Sequence, residues 1–271
     1  MERARAARVS AGEAPQVRPT VASFVTSRPV AVGPVTLDED AAHHARVRRL
    51  VDGDPVAVRD GAGAVARGRI ARLAKHALHV DVDAVARVEP PPPVHLLAPV
   101  GDRERMLWLA EKAVEVGVTS WRAVRWQRSR SVSPRGEGDA FVAKLRTRMA
   151  QALAQCEGAW LPDVYDAVEL GDIVDRLPAG SRLLLDGDGA AFATADVADA
   201  EGGVCLAVGP EGGLEADEIT RCETAGFRRV RLPGNVLRFE TAGVVGLAFA
   251  RALAEHPRRP GAPSPTLADR V

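Results

Sequence analysis

Within LPGNVLRFETA, residues 232–242, an arginine, a glutamate and a threonine follow a Pro-Gly turn and open an apolar helix. Some twenty residues earlier, VGPEGG at 208–213 sets a further glutamate among glycines. Arg238 offers a planar fork of donors suited to carbonyl or phosphate oxygens, and Glu240 or Glu211 offers a carboxylate able to accept a proton. That is the equipment for general-base chemistry beside a polarised carbonyl or an anion. Glu240 and Thr241 would serve equally well as first-turn residues, where the helix dipole favours a carboxylate whether or not it catalyses, and Glu211 could simply orient its loop.

The glycines narrow the possibilities. Three segments, LLLDGDGA at 183–190, AVGPEGG at 207–213 and RLPGNVLR at 231–238, each follow an apolar run and carry Gly or Pro. Glycine lets backbone N–H and C=O groups approach a ligand with no Cβ in the way. Tight turns between strands and helices also need Gly and Pro, so one such loop would mean little. Two of them, each leading into a helix, favour a ligand read largely by main-chain groups. Neither the G-x-x-x-x-G-K-[ST] nor the G-x-G-x-x-G phosphate motif occurs at these turns.

The elements that must hold these loops alternate. From residue 95 onward the chain reads strand, helix, strand, long helix, strand, and then strand, helix, strand, helix to the end of FETAGVVGLAFARALAEH. Met106, Leu109, Ala110, Ala113 and Val114 fall on one face of a helix stopped by Gly117, and Phe141, Leu145, Met149 and Leu153 on one face of another. This is the pattern of an α/β domain with a mostly parallel sheet, whose ligands sit beyond the carboxyl ends of the strands. Before EPPPPV at 89–94, short segments of strand character separated by Asp-Gly turns predict a small β-barrel or β-sandwich, interrupted by one helix that Asp38 caps. The expected organisation is an extension at 1–19, a β domain at 20–89, a Pro-rich linker at 90–94, an α/β domain at 95–256 and a tail at 257–271, both ends disordered.

Composition excludes several classes of function. The 36 basic and 36 acidic residues cancel, so a polyanionic partner must be held by local patches. Arg46, Arg48 and Arg49 form one patch, and Arg122, Arg125, Arg128, Arg130 and Arg135 another. Of these, Arg46, Arg49, Arg128 and Arg130 are the candidates for the phosphates of such a partner. Cys156, Cys205 and Cys222 lie far apart with no C-x-x-C, and His43 and His44 have no partner cluster, so neither a disulfide framework nor a metal site is expected. The start has no apolar signal segment and VVGLAFARALA is too short to span a bilayer, which points to the cytoplasm. Trp108, Trp121, Trp126 and Trp160 are expected as core or interface anchors.

GPEGG followed by LPGNVLRFETA resembles the paired signature of the SPOUT methyltransferases of the RsmE type, which methylate N3 of a uridine in 16S ribosomal RNA. EKAVEVGV at 111–118, AQC at 154–156 and AAHHARVRRLVDGDPVAVRDGAG at 41–63 are similar to further parts of that family, so the likeness covers roughly residues 20–256. It implies a PUA-like β domain before a SPOUT-type α/β domain with a C-terminal trefoil knot, a homodimer, and 16S rRNA or the small ribosomal subunit as partner, with no membrane and no metal. S-adenosylmethionine would be held by Leu185, Gly209, Gly212, Leu232, Gly234, Asn235, Val236 and Leu237, with Arg238, Glu240 and Glu211 as the catalytic set. Alternatives are a non-catalytic RNA-binding or ribosome-assembly protein on the same fold and a SPOUT enzyme acting on another RNA. Two departures stand out: the family has Leu-Gly-Pro where this chain has Leu232-Pro233-Gly234, and Gly158 and Trp160 occupy a segment that elsewhere carries arginine.

Overall fold

The computed structural model describes residues 22–131, 135–192 and 202–255. The expected disordered ends, 1–19 and 257–271, lie outside these. Strands β1 (Ala22–Val25), β2 (Gly33–Leu37), β3 (Pro55–Arg59), β4 (Ala64–Leu73) and β5 (Leu78–Arg87) form a five-stranded sheet in the order β1-β3-β4-β5-β2. β1 runs parallel to β3 and the other pairs are antiparallel. Alternation along the strands puts Ala66, Ile70, Leu78, Val80 and Val82 in one core. Helix α1 (Glu39–Val47) closes that core with Ala41, Ala42 and Ala45, small side chains that let it sit close to the sheet. Asp38 caps it as expected, accepting from Ala41 N at 3.0 Å.

The second sheet is built from β6 (Val94–Pro99), β7 (Ser120–Arg125), β8 (Asp163–Glu169), β9 (Ser181–Ala191), β10 (Val204–Val208) and β11 (Phe227–Arg231). Its order is β11-β9-β10-β6-β7-β8 and every pairing is parallel. β10, VCLAV, is buried at every residue, as a central parallel strand covered on both faces must be. Leu206 and Leu183 face a core shared with α2 (Arg103–Val116), α3 (Asp139–Cys156) and α6 (Phe239–Glu255). Cys205, Ala207 and Leu184 face the other way, toward Trp126, Leu170 of the short helix α4 (Leu170–Ile173) and Cys222 of α5 (Ala216–Thr224). The faces expected for α2 and α3 are buried, and Gly117 ends α2 with φ of 83°. β8 and α4 were not anticipated: DVYDAVE lies at the sheet edge, where exposed acidic positions and half-buried apolar ones blur the period of two.

The two sheets meet at identifiable bonds. The turn at Gly61–Gly63 is hydrogen-bonded to residues 159–161, through Gly63 N to Ala159 O at 3.0 Å and Leu161 N to Gly61 O at 2.8 Å. Trp160 donates its indole N–H to Val88 O at 3.1 Å, and Val25 packs against the larger core. On the far side Arg251 of α6, 8% exposed, donates one guanidinium nitrogen to Pro92 O and another to Gly117 O. It thereby ties the last helix to the Pro-rich connection and to the end of α2. Replacing Arg251 by Met keeps the apolar stem and leaves two carbonyls without donors, at a cost of about 2–4 kcal/mol. The expected result in urea unfolding is a lower midpoint with an unchanged slope.

Candidate functional site

The site lies at the carboxyl ends of β9, β10 and β11. β9 pairs with β11 up to Leu184↔Arg229 and resumes at Ala190↔Val230, so residues 185–189 leave the ladder. The segment expected as a loop at 183–190 is therefore an excursion inside a strand that runs to Ala191, because pairing with β11 recaptures it. Asp186 shapes the excursion, accepting from Asp188 N at 2.9 Å and from Arg229 Nε at 2.7 Å. The same hydrogen bond raises the pKa of Arg229 above its ordinary value. Gly189 lies where the chain rejoins, and a Cβ there would stand 2.7 Å from Arg229 C and Val230 N.

The loop after β10 is tied from outside. Gly213 N bonds to Pro210 O at 2.9 Å, closing a turn with Gly213 at φ 76°. Arg128, in a 3₁₀ turn at Gln127–Ser131 that follows β7, donates to Gly212 O at 2.5 Å and to Glu215 Oε1 at 2.8 Å. Glu218, 4% exposed, accepts from Gln127 N at 2.7 Å and Glu215 N at 2.9 Å, so the loop and the start of α5 are fixed to the turn beside β7. After β11 the chain turns at Gly234, φ 97°, and α6 begins with Ala242 N bonded to Arg238 O at 2.8 Å. The inverted Pro233-Gly234 order thus places the positive φ on the glycine.

These three segments enclose a cavity of about 460 Å³. Leu185, Asp186, Gly187 and Asp188 form one wall, Gly209, Pro210, Glu211, Gly213 and Leu214 a second, and Leu232, Gly234, Asn235, Val236 and Leu237 a third. Phe239 and Ala242 of α6 contribute to the lining. Of the residues expected to hold a cofactor, all but Gly212 line it; Gly212 instead anchors its wall through Arg128. Arg238 and Glu240 do not line the cavity: Arg238 is exposed, and Glu240 is 8% exposed beneath the loop.

Sequence reasoning missed the cation at this corner. Asp102 caps α2, accepting from Arg105 N at 3.0 Å, and Gly101 fits so closely under Phe239 that a Cβ would lie 3.0 Å from its ring. Those contacts bring the first turns of α2 and α6 together. Arg105 forms an ion pair with Glu211, and its Nε stands 4.0 Å from Glu240 Oε1. Glu240 Oε2 is buried without a hydrogen-bond partner. The available signal was a strand followed by an Asp cap and then a cation in the first turn of a helix, where the dipole does not favour positive charge.

The candidates for RNA contact separate. Arg46 donates to Ala74 O at 2.9 Å and is otherwise exposed, and Arg49 is exposed with φ of 57°. Arg128 is engaged with the loop, and the side chain of Arg130 lies outside the described residues. Trp121 and Trp126 are core residues, whereas Trp108 is 43% exposed. His44 meets the Phe24 ring edge-on, and burial is the main cause that lowers its pKa. Among the described residues no group of His, Cys, Asp or Glu is arranged to hold a metal ion, and no helix is long and apolar enough to cross a membrane.

A parallel sheet whose carboxyl edge forms a glycine-walled cavity, behind a small β domain, defines an α/β protein with a ligand site at that edge. Residues 88–251 match the RNA methyltransferase domain family and residues 37–83 the RNA methyltransferase PUA domain. The chain belongs to this RNA methyltransferase family. It is 30% identical over 223 residues to the ribosomal RNA small subunit methyltransferase E of Mycobacterium tuberculosis, covering 79% of this chain and 84% of the relative. A crystal structure of the corresponding Neisseria gonorrhoeae protein, bound to S-adenosyl methionine, superposes with a TM-score of 0.77 at 24% identity, over 86% of this chain and 98% of that one. A predicted RNA methyltransferase from Thermotoga maritima gives a TM-score of 0.65 at 28% identity, over 85% and 97%.

The walls of the cavity make one comparison decisive. A Cβ added at Gly187 would have nothing within 4 Å, whereas one at Gly189 meets backbone. Gly187→Ala is expected to leave thermal stability unchanged within about 0.5 kcal/mol, and Gly189→Ala to lose about 1–3 kcal/mol by overpacking. Parallel melting curves of the two variants check this.

Proposed function

We propose that this protein transfers a methyl group from S-adenosylmethionine to N3 of a uridine in 16S ribosomal RNA. The observation that carries the proposal is the cavity itself, glycine-walled at Gly209, Gly213 and Gly234 and flanked at one corner by Glu211, Glu240 and Arg105. Its volume suits a ligand of nucleoside size. Leu185, Leu214 and Leu237 supply apolar surface for a base, and Asp186, Asp188 and Glu211 supply negative charge that complements a sulfonium. Bound there, S-adenosylmethionine would supply an electrophilic methyl group. Leu185, Gly209, Leu232, Gly234, Asn235, Val236 and Leu237 hold it, and Gly212 fixes one wall through Arg128.

The chain's own residues then have to present the base and remove its proton. N3 of uracil carries a hydrogen and its lone pair is delocalised, so Glu240, with one oxygen unbonded, accepts the proton as the methyl arrives. Arg238, exposed and without a side-chain partner among the described residues, holds a neighbouring RNA phosphate. Residues 20–89 act as the PUA-like RNA-docking domain, with Arg46 and Arg49 toward phosphates, and 90–94 link it to the methyltransferase domain at 95–256. We also read the C-terminal part as a trefoil knot, supported by the match of residues 88–251 to the RNA methyltransferase domain family. Trp108 and Phe249, both exposed on helices in mutual contact, support a homodimer.

The test uses small subunits and 16S rRNA from a strain lacking this protein, incubated with methyl-labelled S-adenosylmethionine and mapped by mass spectrometry. One added methyl on N3 of a single uridine is expected, and label elsewhere or none at all would reject the proposal. Glu240→Gln should lower kcat by about 10²–10⁴-fold while calorimetric binding of the donor is retained.

A further inference from the structure

The corner between α2 and α6 holds more chemistry than general-base catalysis requires. Two carboxylates from different segments, Glu211 and Glu240, converge on the single guanidinium of Arg105. Glu240 is more than nine-tenths buried, yet Oε2 has no partner. A buried carboxylate oxygen left unbonded costs free energy that a purely structural acid would recover with a donor. The Arg105 side chain is 33% exposed, so a ligand can reach it, and a guanidinium carries five N–H donors, more than Glu211 uses. Arg238, the cation that the sequence suggested for the base, neither lines the cavity nor pairs with either glutamate.

We propose that Arg105 is the cation of the methyl-acceptor site, held on Glu211 in the free protein and passed to a carbonyl oxygen of the incoming base. This rests on the reading of the site as one that methylates a uracil. Once Arg105 turns from Glu211 and opens the corner, the two groups match the edge that carries N3–H: the Glu240 carboxylate accepts the proton and the guanidinium donates to the adjacent carbonyl. As the N3–H bond breaks, its proton passes to the carboxylate and negative charge spreads onto the carbonyl oxygens, where Arg105 stabilises it. The N3 lone pair forms the new bond to the methyl carbon, the carbon–sulfur bond breaks, and its electron pair stays on sulfur as a neutral thioether. Because Glu211 also walls the donor cavity, release of Arg105 from Glu211 couples base entry to that wall.

Arg105→Ala, Arg105→Lys and Glu240→Gln, with the wild type, separate the possibilities. For Arg105→Ala the expected result is donor binding within about threefold of wild type by calorimetry, and kcat lower by about 10²–10³-fold, the loss seen when one preorganised donor to a developing oxyanion is removed. Free guanidinium ion should restore part of that rate to Arg105→Ala and none to Glu240→Gln, and Arg105→Lys should fall between. A rate for Arg105→Ala within about threefold of an active wild type would overturn this assignment and leave the proposed function standing. Loss of donor binding together with rate, without rescue by guanidinium, would reduce Arg105 to a brace for the loop and equally overturn it. A wild-type protein that transfers no methyl to RNA would remove both readings at once.

Discussion

Asp186 and Arg229 meet at 2.7 Å where β9 leaves its ladder with β11, and the shape of the cavity follows from that contact. A parallel ladder that skips residues 185–189 on one strand leaves unpaired backbone groups, which persist only if something else binds or orders them. Asp186 does so in two directions, toward Asp188 N within the excursion and toward Arg229 across it. With the excursion fixed, Leu185 points into the space beneath α6, where Gly246 gives it room. The return at Gly189 tolerates no side chain, so one wall of the cavity is set by backbone against backbone.

The opposite wall depends on a different kind of bond. Arg128 and Gln127 reach from the turn after β7 to the loop after β10, although β6 lies between those strands in the sheet. Their partners, Gly212 O, Glu215 and Glu218, are spaced through the loop and the first turn of α5, so the segment is held at several points. Arg128 and Glu215 are both more than one-third exposed, so the ion pair alone contributes little. The buried Glu218, bonded through both carboxylate oxygens, is the stronger fixture.

Much of this was legible in the sequence because it rests on local rules. The faces of α2 and α3, the Asp38 cap, the Gly117 stop and the glycine segments all express spacing or backbone preference within a few residues. Arg105 was missed and the loop contacts of Arg128 were not foreseen for the opposite reason: each is decided by partners more than eighty positions away. A run of arginines after β7 has the look of a solvated or RNA-facing surface. Only the fold shows that Arg128 is occupied with Gly212 and Glu215. β8 was missed because its edge position exposes acidic residues that a central strand would exclude.

The division between backbone and side-chain work also explains how the reordered Leu232-Pro233-Gly234 turn keeps its bend. A wall made of main-chain groups needs a residue able to take positive φ at the bend, and Gly234 takes it at 97° with open space around its α-carbon. The proline then precedes the bend, where its fixed φ stiffens the approach. Side-chain identity matters instead at the corner between α2 and α6, where one guanidinium serves two carboxylates and the Gly101–Phe239 contact sets their separation. On the proposed function, variation is tolerable in the loop that would cradle a donor and costly in the corner that would receive a base. The residues with most chemical consequence are those that two helix starts bring together.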